Sequence, residues 1–416
     1  MNTRARGDAR TAFVALASTL AIQIYISFAA TAAAVLAPEI ARTFGIEARW
    51  IGVFIGLVYA GGMFASLASG GFIERYGSIR ISQACVVLAA LGVLVMVVAP
   101  SNVVAWVALA ALVIGLGYGP VTPASSHLLQ RTAPPSRMAL TFSIKQTGVP
   151  AGAALAGAIL PAVSLAIGWR EAFALVSLFG LVVVASAQPI RPALDADRGG
   201  RGRFTIAGIF APLALLRDSR ALLELALVSF VYSATQVCLT TFLVVHLTQT
   251  LGWSLVAAGL ALTAATVGGV AGRIGWGYVA DRWLSPRRVL IVIGFLAGAF
   301  GACMVAATPA WPKATIIVLA TLFGITAIGW NGVQLSEVAR LAPPGGAGKV
   351  TGASGFVTFA GVVVGPPCFG LLASFGGSYR IGFAAFALAS AGAALGLIRG
   401  QATGNREQKK AKANSP

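Results

Sequence analysis

The sequence predicts an all-α membrane protein whose twelve transmembrane helices form two six-helix bundles. Three observations support this fold class. The 416 residues are 57% hydrophobic and 10% charged, whereas a soluble domain carries roughly 25% charged residues. Twelve apolar tracts reach the length of about 20 residues that a helix needs to cross a bilayer. The two halves of the chain also share a series of motifs.

The apolar tracts lie near residues 11–37, 48–72, 81–99, 103–127, 139–163, 169–187, 220–246, 253–277, 288–308, 314–339, 348–374 and 380–398. Lipid offers no partner for backbone N–H and C=O groups, so only helices and closed barrels span it. The tracts are too long for barrel strands and lack strand alternation, so each predicts a helix. The first resembles a cleavable signal peptide, but its length favours a retained first span.

The basic residues indicate an orientation for these spans. The formal charge is +18. Most Lys and Arg residues fall in the loops and tails that lie on the same side of the membrane as the N-terminus. This is the positive-inside pattern, so we expect a multi-pass protein of a bacterial inner membrane with both termini cytoplasmic. A nucleic-acid partner is not expected, because a folded basic face with base-stacking aromatics is missing.

A polar segment divides the chain into two halves. The stretch "RPALDADRGGRGR", residues 191–203, is polar and Gly-rich, which is typical of a flexible linker. We therefore expect an N-terminal bundle over 1–187, a cytoplasmic linker over 188–219, a C-terminal bundle over 220–398 and a basic tail over 399–416. An offset of about 207–210 residues pairs "RTAPP" at Arg131–Pro135 with "RLAPP" at Arg340–Pro344. The pairing indicates a duplicated six-helix unit.

The loop after the second span of each half resembles the signature of the major facilitator superfamily. The copies read Gly70-x-x-x-Glu74-Arg75-x-Gly77-x-x-Arg80 and Gly277-x-x-x-Asp281-Arg282, followed by Arg287 and Arg288. The first copy has Glu where Asp is usual, and the second has Leu284 in place of the later Gly. The resemblance implies a secondary transporter whose two bundles rock around a central site.

The same signature suggests a gate at the inner ends of the spans. We expect Glu74, Arg75, Arg80, Asp281 and Arg282 to take part in it. An acidic side chain there can bridge to helix ends and to neighbouring basic groups. Contacts of this kind would break on opening and so bias the two states. The alternative is a simple topological anchor held by positive charge.

Polar stripes predict a cavity between the bundles. The resemblance implies that helices 1, 4, 7 and 10 line it, and each of them carries polar residues, some spaced to share one helix face. The candidates for binding a substrate are Gln23, Ser27, Thr31, Tyr118, Thr122, Tyr232, Gln236, Thr240, Trp330, Asn331 and Gln334, with Ser125 and Ser126 nearby. The alternative use of such stripes is hydrogen bonding between helices.

Lys145 adds a charge to this predicted site. It lies in the fifth span within "FSIKQTGVPAG", Phe142–Gly152. A basic residue at a helix centre costs about 2.5–3.5 kcal/mol on insertion scales, and an anionic substrate would offset that cost. The alternative is that its long stem snorkels to water. Arg273, which precedes the second signature, is expected to anchor the inner end of the eighth span.

These features predict uptake of a small, carboxylate-like organic anion, coupled to protons or another gradient ion. The chain loosely resembles the branch of the superfamily that includes cyanate, nitrate/nitrite and monocarboxylate permeases. Proton-linked drug exporters of the family carry an Arg where this chain has Ala111, and "GVPAG" only partly meets their Gly-Pro signature. Efflux of a drug or metabolite by proton antiport is the alternative.

Several other classes of protein are not expected. There is no GxxxxGK[ST] loop for ATP, so a gradient would drive transport. The four cysteines show neither a disulfide framework nor metal spacing, and no catalytic constellation is visible. We expect a monomer in the lipid bilayer without enzyme activity, cofactor or metal. A sensor or scaffold without transport would need a sizeable soluble domain.

Overall fold

The structure, a computed structural model, describes residues 3–45, 51–100, 105–199, 206–375 and 377–413. Over these residues it is helical, and twelve helices are long and apolar enough to cross a membrane. The predicted fold class is therefore confirmed. The predicted span boundaries near 48 and 103 lie outside the described residues.

The N-terminal bundle contains six spans, of which the fourth and fifth are each divided. Span 1 is α1 (Thr3–Val35), span 2 is α3 (Ile51–Tyr76), span 3 is α4 (Ser78–Val98), span 4 is α5 (Ala105–Tyr118) with α6 (Val121–Thr132), span 5 is α7 (Met138–Gln146) with α8 (Gly148–Ile167), and span 6 is α9 (Trp169–Ala187). A short helix, α2 (Ala37–Phe44), follows span 1, and a 3-10 turn, Pro135–Arg137, precedes span 5.

The C-terminal bundle repeats this plan, with a division in span 10. Span 7 is α12 (Arg220–Gln249), span 8 is α13 (Leu255–Arg282), span 9 is α14 (Pro286–Ala306), span 10 is α15 (Lys313–Ala327) with α16 (Asn331–Leu341), span 11 is α17 (Ala347–Phe375), and span 12 is α18 (Tyr379–Ala413). Ser219 and Ser254 cap spans 7 and 8 through their side-chain oxygens. The last helix extends into the basic tail as far as Ala413.

The described parts of the linker, residues 188–199 and 206–219, are more ordered than the flexible segment that its composition predicts. It contains α10 (Arg191–Leu194) and α11 (Ile206–Asp218). After α10, the fully buried Asp195 carboxylate accepts hydrogen bonds from the N–H groups of Ile79 and Arg80 at 2.8 and 3.0 Å. These are first-turn N–H groups of span 3, which have no partner within the helix. Burial raises the pKa of Asp195, and the two N–H donors act in the opposite direction.

A second acidic residue of the linker holds span 4. The Asp197 carboxylate lies 2.8 Å from Nε2 of His127 and 2.9 Å from the guanidinium of Arg131. The N–H of Gly199 donates to the carbonyl of Glu74 at 3.1 Å. Residues 191–199 are therefore fixed to the N-terminal bundle, whereas α11 packs against spans 7 and 11 and also touches span 2.

The distribution of buried side chains shows which end of the molecule is closed. One apolar cluster combines residues of both bundles, including Leu67 and Phe142 with Val338 and Val350. It lies at the end that carries the loops with Arg75, Arg131, Arg282 and Arg340, which we call the basic face. Towards the opposite end, the two bundles have separate cores. The bundles thus meet at the basic face in this conformation.

Glycines allow the spans within a bundle to touch through their backbones. A Cβ built on Gly324 of span 10 would lie 1.9 Å from the carbonyl oxygen of Ala265 in span 8. Small residues permit this close packing where lipid supplies no hydrophobic drive for association.

We expect Gly324→Ala to lower the thermal unfolding midpoint of the protein in detergent, because the added methyl group must separate spans 8 and 10. Overpacking of this kind costs about 1–3 kcal/mol. Gly392→Ala is the matched control, since a Cβ there meets nothing within 4 Å and Ala favours helix over Gly. A midpoint that is equal in the two variants would contradict the close contact.

Candidate functional site

A polar cavity of about 180 Å³ lies between the two bundles. Its walls come from spans 2, 4 and 5 on one side and from spans 7, 8, 10 and 11 on the other. The polar and aromatic residues that line it are Tyr59, Ser66, Tyr118, Thr122, Gln146, Ser233, Gln236, Thr240, Arg273, Trp330, Asn331, Gln334, Thr351, Ser354, Thr358 and Phe359. The divided spans 4, 5 and 10 place their breaks at this cavity, where helix geometry is interrupted.

The cavity brings together most of the stripes that the sequence predicts for spans 4, 7 and 10. These residues are Tyr118, Thr122, Gln236, Thr240, Trp330, Asn331 and Gln334. The side-chain oxygen of Gln236 accepts hydrogen bonds from Trp330 Nε1 at 3.2 Å and from Asn331 Nδ2 at 3.0 Å. Span 7 is thereby joined to the break in span 10. Tyr232 lies outside the lining, because its hydroxyl donates to the carbonyl of Leu290 behind the cavity.

The stripe on span 1 lies against span 5 instead of lining the cavity. Ser27 donates to the carbonyl of Val149 at 2.6 Å, and Gln23 contacts Lys145. Thr31 is half-buried and is also absent from the lining. The reason is the close approach of the two spans, since a Cβ on Gly152 would lie 2.2 Å from the carbonyl oxygen of Ile24.

Lys145 is buried immediately behind the cavity wall. Its side chain is 1% exposed, so the alternative that it snorkels to water is wrong. Its ammonium donates to Gln23 Oε1 at 2.7 Å, to Gln146 Oε1 at 3.1 Å and to Thr122 Oγ1 at 3.4 Å. These neutral oxygens use all three ammonium donors. Among the described residues no carboxylate lies within ion-pair distance of it.

Arg273 is a cavity residue, and the prediction that it anchors the inner end of span 8 is wrong. It is 2% exposed and lines the cavity. Arg282 at the end of the helix lies nine positions later, which places Arg273 about 13 Å inside. Its Nε donates to the carbonyl of Ile328 at 3.2 Å, and its Nη1 donates to the carbonyl of Gln146. The one available signal was a lone charge among glycines in "GGVAGRIGWG".

The two cations give the site its electrostatic character. Lys145 belongs to the N-terminal bundle and Arg273 to the C-terminal bundle, and both are buried with neutral acceptors only among the described residues. The residues that line the cavity include no Asp or Glu. Buried charges without a counter-charge are costly in a membrane and mark functional sites. An anion is the ligand that this environment would stabilise.

An aromatic group forms the wall of the cavity that is remote from the basic face. The rings of Tyr59, Tyr118 and Phe359 lie with centroids 5.9–6.0 Å apart. Tyr59 and Phe359 were missed, because a single aromatic in an apolar span gives no signal in one sequence. They join span 2 to span 11 across the two bundles, and they offer an apolar surface to the non-polar part of a solute.

Both copies of the loop signature contact the opposite bundle at the basic face. The Asp281 carboxylate accepts hydrogen bonds from the N–H groups of Ala139 and Leu140, at 3.0 and 2.8 Å. It thus caps the start of span 5, where helix N-terminal N–H groups attract negative charge. Glu74 instead pairs with the ammonium of Lys349 on span 11 at 2.8 Å. The other predicted gate residues, Arg75, Arg80 and Arg282, are exposed at the basic face.

Two similar six-helix bundles around one polar cavity define the fold of a secondary transporter. The family profile of the Major Facilitator Superfamily matches residues 19–361 and 225–415. The chain belongs to this superfamily, which is a family of transporters and not of enzymes.

Relatives and solved structures agree with this assignment. The chain is 30% identical over 238 residues to monocarboxylate transporter 13 of Rattus norvegicus, covering 55% of this chain and 52% of the relative. It is 22% identical over 312 residues to the hexuronate transporter of Bacillus subtilis, covering 69% and 71%. This chain spans 58% of the length of the first relatives that it matches. The E. coli fucose:proton symporter FucP shares the fold, with a TM-score of 0.72, 16% identity and coverage of 93% and 98%.

Proposed function

We propose that this protein is a secondary transporter that takes up a small organic anion, a carboxylate, across a bacterial inner membrane together with protons. The observation that carries the proposal is the pair of buried cations, Arg273 on the cavity wall and Lys145 directly behind it. A buried charge that lacks its opposite partner is strongly destabilising. A solute carboxylate would supply the negative charge for Arg273 and Lys145 in each transport cycle.

The shape of the cavity supports a small solute with a polar and an apolar end. Its volume of about 180 Å³ is modest. Arg273 lies on one side, and the rings of Tyr59, Tyr118 and Phe359 form another wall. Two relatives are named as transporters of a monocarboxylate and of hexuronate, and both named solutes carry a carboxylate.

The composition of the lining limits which groups could carry a coupled proton. Because no Asp or Glu is among the lining residues, we infer that the proton is carried by a group other than a lining carboxylate, while the solute stays ionised beside Arg273. Alternating access then requires the contacts of Asp281 and Glu74 to break as the basic face opens. The orientation with both termini cytoplasmic makes that face the cytoplasmic one.

Counterflow in proteoliposomes tests the function. Vesicles loaded with one unlabelled solute should accumulate the same radiolabelled solute at least tenfold above protein-free vesicles when it is a small carboxylate. A neutral sugar and a quaternary amine serve as solutes of other charge. We expect an inward proton gradient to accelerate uptake. Accumulation of the amine or of the sugar, without any carboxylate, would contradict the proposal, and export stimulated by the gradient would reverse its direction.

The role of Lys145 is measured in the same assay. We expect Lys145→Ala to raise the half-saturating carboxylate concentration about tenfold, because the positive potential behind Thr122 and Gln146 is lost. Arg217→Gln is the control, since that side chain is 82% exposed on the linker helix. Unchanged transport by Lys145→Ala would remove this residue from the site.

A further inference from the structure

Pro150 changes the hydrogen bonding of span 5 next to the cavity. It lies in the first turn of α8, just after the division of the span at Thr147. Proline has no N–H group, so the carbonyl four residues earlier loses its usual donor within the helix. In span 5 that carbonyl belongs to Gln146, which lines the cavity. A buried carbonyl that lacks a donor must find one elsewhere.

The donor comes from the opposite bundle. Arg273 of span 8 donates from Nη1 to the Gln146 carbonyl and from Nε to the carbonyl of Ile328. Ile328 lies at the division of span 10, where the helix is again interrupted. One guanidinium therefore satisfies carbonyls at helix breaks in both bundles. We call this pair of hydrogen bonds the Arg273 bridge.

The bridge joins the two bodies that alternating access must separate. The Gln146 carbonyl moves with the N-terminal bundle, while Arg273 and Ile328 move with the C-terminal bundle. The contact is one turn of helix from Ser143, where a Cβ on Gly277 or Gly332 would lie 2.5 or 2.3 Å from the serine oxygen. This is the zone in which spans 5, 8 and 10 touch, so the bridge cannot survive their separation.

We propose that Pro150 is a positioning residue, which frees the Gln146 carbonyl so that Arg273 bridges the two bundles while the basic face is closed. The guanidinium has five donors, and the bridge occupies two of them. The remaining three are sufficient for a carboxylate, so Arg273 can hold the bridge and an anion together. This last consequence rests on the proposed function, whereas the bridge itself is defined without any substrate.

The bridge differs from an ordinary proline kink in a testable way. A kink alone would change the shape of span 5, and its effect would not depend on Arg273. If Pro150 acts through Arg273, restoring an N–H at residue 150 supplies the Gln146 carbonyl with an intrahelical donor and weakens the bridge. The effects of Pro150→Ala and Arg273→Gln on the two-state equilibrium must then be non-additive.

Distances between spin labels on the basic face measure this equilibrium without substrate. Ser136→Cys and Ser285→Cys place one exposed label on each bundle, in a background where the four native cysteines are replaced. We expect Pro150→Ala to raise the population with the longer distance at least threefold. The control is Pro161→Ala, which removes the other proline of α8, outside the cavity lining, and should leave the distribution unchanged.

The outcomes separate the proposal from its alternatives. An increase in Pro150→Ala that is not enlarged further by Arg273→Gln supports the bridge. Equal distributions in Pro150→Ala, Pro161→Ala and the parent overturn it, as do fully additive effects. Should Pro150→Ala fail to give a monodisperse protein, Arg273→Gln is measured alone, and an unchanged distribution overturns the bridge. If carboxylate counterflow fails while Pro150→Ala still shifts the label distances, the proposed substrate is rejected and the bridge is retained.

Discussion

Replacing Arg273 with glutamine should lower carboxylate transport in proteoliposomes by about 30-fold or more. Truncating one partner of a buried, hydrogen-bonded charge pair costs about 2–5 kcal/mol, and each 1.4 kcal/mol is a factor of ten. Glutamine preserves part of the volume of the side chain and can donate to one carbonyl, but it carries no charge for the solute. Arg273→Lys should be intermediate, because an ammonium cannot reproduce the planar fork of a guanidinium.

A surface arginine and a binding measurement serve as controls for this prediction. Arg217→Gln should transport as the parent does, because that side chain is 82% exposed. Binding of the carboxylate, measured by calorimetry in detergent, should be lost with transport in Arg273→Gln. If binding persists while transport is lost, Arg273 acts in the conformational change alone and the anion site lies elsewhere.

Replacing Asp281 with alanine should open the basic face and slow transport about tenfold. The Asp281 carboxylate satisfies the N–H groups of Ala139 and Leu140 from the opposite bundle. Loss of a capping side chain costs about 0.5–2 kcal/mol, and this cost falls only on the closed state. A shift of about 1.4 kcal/mol changes the ratio of the two states tenfold, so the transporter would dwell in the opened state.

Labels at residues 136 and 285 report the opening directly. We expect the longer distance to become the major population in Asp281→Ala. Asp218→Ala is the matched control, because this acid is also near the basic face but is 66% exposed and, among the described residues, forms an ion pair with its neighbour Arg217 alone. A distribution that matches the control would show that the cap does not hold the bundles together.

The spans could be predicted from the sequence because their causes are local. An apolar tract of sufficient length must form a helix in lipid, whatever the rest of the chain does. The division of span 10 at Ile328–Trp330 and the continuation of span 8 to Arg282 depend instead on packing. The sequence predicts Arg273 at the inner end of span 8, because the signature begins at Gly277, four residues later. The uninterrupted helix carries it into the cavity.

The two signature copies illustrate what one sequence does not contain. The chemistry of an acidic residue predicts that it could bridge to a helix end or to a basic group. Which of the two occurs depends on partners far away in the chain. Asp281 meets residues about 140 positions earlier, and Glu74 meets Lys349 about 275 positions later. The position of the stripe on span 1 also depends on a distant contact, since Gly152 brings span 5 against it.

The anchoring of residues 191–199 to the N-terminal bundle has a mechanical consequence. Asp195 and Asp197 fix this part of the linker to spans 3 and 4, and α11 begins at Ile206. Seven Cα–Cα steps lead from Gly199 to Ile206, a contour length of about 25 Å when fully stretched. The segment that connects the two halves is thus much shorter than a flexible linker of 32 residues would be. It sets an upper bound on how far the two bundles can separate at the basic face.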